Sequence, residues 1–160
     1  MTIHRLIVCT AIALLTLADC LAASAQSKCT NRLIKGTYGY TCTGAIIFQE
    51  GGPAIPYATI GRVVSDGTGH WEGYSTADIG GGFSPVFVTT EGGSDAVVNH
   101  DCTGTITYQQ WTANPNVIAD AVYLGPLPIH FVISDNGNGI DGLPTGTGAT
   151  VTCRLVRQFN

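Results

Sequence analysis

The chain reads as an all-β protein, an antiparallel up-and-down barrel of about eight strands. Apolar and polar residues alternate at period two over many short stretches, and clusters of Gly, Pro and Asn fall between them. With 21 glycines and 7 prolines in 160 residues, no apolar stripe at helical spacing persists for three turns. A meander of short strands is what remains.

Taken in order, residues 1–25 come first: a basic start (His4, Arg5), an apolar run from Leu6 to Leu17, and Ala23-Ser24-Ala25. This pattern predicts a secretory signal peptide, too short in its apolar part to span a bilayer, followed by one barrel domain over 26–160. Leu17-Ala18-Asp19-Cys20 resembles a lipoprotein cleavage site, but Asp19 stands where a small residue is needed, so a soluble secreted or periplasmic product is expected. Strands are predicted at Thr37–Cys42, Ala45–Gln49, Tyr57–Ser65, His70–Thr76, Val86–Thr90, Ala96–Asn99, Thr103–Gln110, Val117–Leu124, Ile129–Ser134 and Val151–Leu155. Turn formers separate them, among them Gly51-Gly52-Pro53, Asp66-Gly67, Gly80-Gly81-Gly82, Asn114-Pro115-Asn116 and Asp135-Asn136-Gly137.

A faint internal echo suggests two similar four-stranded halves. Cys42-Thr43-Gly44 returns as Cys102-Thr103-Gly104, and Val63-Val64-Ser65-Asp66 as Val132-Ile133-Ser134-Asp135, while reuse of the same turn residues by chance is the competing explanation. Closing two such halves into one barrel removes exposed sheet edges and makes the first and last strands neighbours. Cys9 and Cys20 leave with the leader, so four cysteines remain, and an even number in an exported chain predicts two disulfides. Cys42 and Cys153 share the inward parity of the first and last strands, which ranks Cys42–Cys153 with Cys29–Cys102 first among the three pairings.

Six basic and ten acidic residues outside the leader leave a net charge of −4. No basic cluster is present to attract a phosphate backbone, and no cationic amphipathic helix to lie on a membrane, so neither nucleic acid nor membrane insertion is expected. Gly-x-Ser-x-Gly and phosphate loops are missing. No metal is expected: Cys and His lack zinc spacing, and the oxygen-rich segment Asp135–Gly142 places glycines where calcium ligands would stand. His70, His100 and His130 read as strand or turn residues, Glu72 and Asp78 as carboxylates of one strand-turn, and Cys102 as oxidised rather than nucleophilic. No cofactor is expected. The candidate ligand-binding residues are Tyr38, Tyr40, Trp71 and Tyr108, aromatics on successive strands, with Asp120, a carboxylate within the apolar run Val117–Val122.

The series Gly36-Thr37-Tyr38-Gly39-Tyr40, Asp66-Gly67-Thr68-Gly69, Asp101-Cys102-Thr103-Gly104-Thr105, Val132-Ile133-Ser134-Asp135 and the closing Cys153-x-x-x-Arg157 resembles a group of small exported bacterial β-barrel proteins without an assigned activity. Their build is similar to calycins and to the allene oxide cyclase and dirigent type. The resemblance implies a binder of a small apolar or amphipathic molecule or of a surface partner, with a cofactor-free cyclase or isomerase, or a purely structural module of the cell envelope, as alternatives. No functional motif of those groups matches residue by residue, so no site is carried over. An aromatic-lined open cavity favours ligand or catalysis, and a filled interior favours an interaction module.

Overall fold

A computed structural model describes residues 29–47, 51–90, 96–114, 117–145 and 148–158, with backbone alone at 83–85, 87–88, 90, 111–114 and 117–124. The predicted leader lies outside the described residues. Nine strands follow one another: β1 Gly36–Ile46, β2 Ile55–Ser65, β3 Trp71–Ile79, β4 Gly82–Thr90, β5 Val97–Val98, β6 Thr103–Asn114, β7 Val117–Ser134, β8 Gly139–Pro144 and β9 Ala149–Arg157. Every pairing is antiparallel. Neighbours run β1-β2-β3-β4 and β6-β7-β8-β9, β9 returns to β1, and β4 joins β6 through Val86–Thr90 against Tyr108–Thr112. The ladder therefore goes right round, and the two-residue β5 extends the same β6 edge opposite Gly104 and Thr105.

Alternation decides which side chains fill the barrel. Tyr38, Cys42, Val63, Trp71, Ala77, Ile106, Tyr108, Phe131, Ile133, Ile140, Val151 and Cys153 are buried, while the residues between them face out. Both predicted disulfides are present. Cys42 sits directly opposite Cys153 at the β1–β9 seam, their Cα atoms 4.0 Å apart, and Cys29 joins Cys102 with Cα atoms 5.0 Å apart.

Three elements differ from the sequence reading. Thr37–Cys42 and Ala45–Gln49 merge across Gly44, which is part of β1, and the described strand ends at Ile46. Val117–Leu124 and Ile129–Ser134 are one strand, β7, because Pro126 and Pro128 lie beyond the point where β8 stops opposite Ile129 and so cost no ladder bond on that edge. β8 is a strand that the sequence does not predict, most of it falling in the oxygen-rich segment Asp135–Gly142. The echo also resolves differently. Val64 faces Glu72 and Val132 faces Asp141, so the β2–β3 and β7–β8 hairpins correspond, but the Ser-Asp pairs fall one residue out of step because the β7–β8 ladder runs one pair further, to Ser134 opposite Gly139, before its turn. Cys42 lies in mid-strand and Cys102 before β6, so the Cys-Thr-Gly echo has no structural counterpart.

One end of the barrel is stoppered. A 3₁₀ turn at Asn31–Ile34 crosses it and buries Ile34 completely. Asn31 donates to the carbonyls of Thr68 (3.2 Å) and Ala96 (2.9 Å), and its Oδ1 accepts from the Val98 N–H at 3.0 Å. Arg157, on the last strand, donates to the Leu33 carbonyl at 2.6 Å and to the Tyr38 hydroxyl at 2.8 Å, with its guanidinium 5.4 Å from the Tyr38 ring centre. Tyr38 in turn donates to Gly137 O at 2.7 Å. Gly137 has φ +85°, and a Cβ there would strike the Leu33 carbonyl, so only glycine lets the β7–β8 turn press on the stopper.

Candidate functional site

Beyond the stopper, two small voids lie between described interior side chains. The larger, about 40 Å³, is lined by Tyr40, Tyr57, Thr59, Ser75, Tyr108 and Gln110 among apolar neighbours including Leu127, Ile129 and Leu155. Tyr40 hydrogen-bonds Ser75 and Thr59, and Tyr57 also hydrogen-bonds Thr59. Gly61, paired with Tyr40, makes room for that ring, since a Cβ would meet the Tyr40 ring at 2.7 Å. Burial raises all three phenols: it pushes Tyr40 up to about 12 against the opposing Ser75 and Thr59 hydrogen bonds, and it lifts Tyr57 and, most strongly, Tyr108. The cluster is therefore neutral near pH 7, able to hydrogen-bond but not to serve as a base. The second void, about 20 Å³, lies among Trp71, Ile106, Tyr108, Phe131 and Ile140.

These volumes decide what the interior holds. A buried water needs about 10–15 Å³, so the larger void takes roughly three, whereas small-molecule pockets span roughly 300–1,000 Å³. The described interior is filled by side chains.

Outside the barrel the situation reverses. A concavity of about 710 Å³ lies across β1, β9, β8, β7 and β6. The register sets its rows. Thr41, Arg154, Asp141, Val132 and Thr103 are consecutive cross-strand partners, and Leu143, His130 and Thr105 form the adjacent row, which β5 extends with Val97. Thr43 and Thr152 face one another beside them. Arg154 and Asp141 pair at 3.1 Å and are the charged Arg, Lys, Asp or Glu residues of this lining. Val132 and Leu143 are each about half exposed, at 52% and 54%.

The residues singled out from sequence separate in space. Tyr40 and Tyr108 line the larger void and Trp71 the smaller, while Tyr38 serves the stopper, stacked on Trp71 at 5.6 Å. Asp120 belongs to β7, and its side chain lies outside the described residues. Glu72 and Asp78 are six residues apart on β3, roughly 20 Å at strand rise, so they form no acid–base pair; Asp78 instead accepts from Gly81 N–H at 2.8 Å. His70 stands beside Glu72 at 3.7 Å, His100 is exposed at a turn, and His130 lies in the outer groove. Cys102 is oxidised. Sequence reasoning missed Thr59, Ser75 and the groove; the inward parity that Thr59 shares with Val63 was the available signal for the first.

No family model, curated protein or solved structure matches the chain. Among the described residues no helix is long and apolar enough to cross a membrane, and no three His, Cys, Asp or Glu side chains gather as a metal site.

Proposed function

We propose that this protein is an exported, cofactor-independent binding module of calycin-like build that meets its partner on the outer groove rather than inside the barrel. The contrast in volume among the described residues carries the reading: about 710 Å³ of hollow outside against voids of about 40 and 20 Å³ within. Two disulfides support an oxidising compartment. The hydroxyl cluster at Tyr40, Thr59 and Ser75 supports a second reading, in which the polar head of a small amphipathic molecule enters the larger void. Phenols held protonated supply no base there, which places the cyclase or isomerase alternative third.

Titration with an anilinonaphthalene fluorophore separates the first two. Saturable uptake that Leu143→Glu abolishes and Tyr40→Phe leaves unchanged is the expected result. Uptake lost in Tyr40→Phe and kept in Leu143→Glu moves the site inside and overturns the proposal.

A further inference from the structure

Apart from the groove, we propose that the larger interior void is a binding site of its own, taking a small neutral group, amide- or alcohol-like, whose oxygen accepts a hydrogen bond from Tyr108. Counting protons singles out that hydroxyl. Thr59 donates its one hydroxyl proton to the Thr76 carbonyl at 3.0 Å, so its oxygen can only accept from Tyr40 and Tyr57. Tyr40, its own proton given to Thr59, accepts from Ser75. These four hydroxyl protons are thereby committed within the cluster and to the backbone. Tyr108 differs: it is 6% exposed and lines the same void, near enough to Tyr40 for the two phenols to interact, and among the described residues nothing hydrogen-bonds its hydroxyl. Buried polar groups without a protein partner are rare, so this one marks where a ligand oxygen belongs. Gln110, two residues further along the same face of β6, brings an amide to the same wall.

Size and charge narrow the class. At about 10–15 Å³ for each water-sized group, a void of about 40 Å³ takes roughly three non-hydrogen atoms. Its described lining includes no Asp, Glu, Lys, Arg or His, so an ion entering would shed its hydration and meet no opposite charge. A bare hydrocarbon would leave the Tyr108 hydroxyl unsatisfied. A carbonyl or hydroxyl oxygen on a short carbon stem meets both demands, its stem against Leu127, Ile129 and Leu155.

The test is titration of the disulfide-bonded protein, carbon-13-labelled on its tyrosine rings, with formamide and with hexanamide, followed by nuclear magnetic resonance. Saturable shifts at Tyr108 and Tyr40 are expected, with a formamide dissociation constant no tighter than about 1 mM, the ceiling for a ligand of this size. Tighter binding of hexanamide shows that the group heads a longer chain, and equal or weaker binding shows a free small molecule; the site stands in either case. Tyr108→Phe deletes the oxygen and keeps the ring, so it should weaken binding at least about tenfold while leaving thermal unfolding unchanged or raised. No saturable shift at Tyr108 with either amide makes buried water the sole occupant and overturns the proposal. So does a Tyr108→Phe variant that binds as tightly as wild type, or one that is destabilised, since its hydroxyl then has a structural partner. None of these outcomes bears on the groove, which the fluorophore titration tests separately.

Discussion

Toward the stopper, Ile34, Tyr38, Val63, Trp71, Ile106 and Ile140 belong to one continuous buried cluster, whereas the separate cluster around the β1–β9 seam reduces to Cys42, Val151 and Cys153. Packing, stacked rings and the Arg157 hydrogen bonds fix the first region. A covalent bond between directly opposed residues fixes the second. Among the described residues the cross-link stands beside the smaller of the two buried apolar clusters, so a covalent bond adds to packing where the seam closes.

The most direct way to break the contrast is to remove that bond. Cys42→Ala with Cys153→Ala opens a loop of sequence separation 111 and should cost on the order of 4 kcal/mol, read by denaturant unfolding. Amide exchange should accelerate first at Cys42–Ile46 and Ala149–Cys153, with the stopper still protected; uniform acceleration would show one cooperative core instead.

A smaller loss, about 2–3 kcal/mol, is expected from Arg157→Met, which keeps the stem and deletes the charge-assisted bonds to Leu33 O and the Tyr38 hydroxyl. Exchange should then rise at residues 31–34 while the β1–β9 ladder holds. Unchanged protection of the 3₁₀ turn would remove Arg157 from its assigned role.

The smallest effects are those of pH, and the two regions should respond at opposite ends of the scale. Tyr40 keeps its proton up to about 12 when folded against 10.0 ordinarily, so its contribution is fully present below pH 10 and lost as pH rises toward 12. Asp66, in the turn beside the stopper, accepts from the Thr68 hydroxyl and N–H, which hold its carboxyl down at about 2 against 3.8. Its contribution is present above 3.8 and lost as pH falls toward 2. Alkaline titration followed by phenolate absorbance should loosen the hydroxyl cluster, and acid should loosen the Asp66 turn; the reverse order would contradict both assignments.

Closure and disulfide pairing were legible because they depend on parity: a cysteine facing inward on the first strand and another on the last have each other as partners once the sheet is round. β8 was not legible, since Gly139 and Gly142 carry turn chemistry and their strand conformation comes from pairing with Ser134 and Phe131 on one side and with Val156 and Cys153 on the other. Asn31–Ile34 is too short to show a period, and its place follows from Arg157 and Asn31 reaching distant carbonyls. Thr59 and Ser75 are polar and buried, against the binary pattern, and the shared outer hollow is assembled from strands far apart in sequence, which no local signal records.

Because β1 finds its last neighbour in β9, nothing delivered before β9 can complete the circle. A chain arriving vectorially, first residues foremost, is until then an open ribbon with two raw margins, exposed to pairing with other ribbons. Oxidation of Cys42 before Cys153 has arrived would lock in a wrong partner, so the order in which thiols meet their oxidant governs the yield of sound molecules as much as their final stability does.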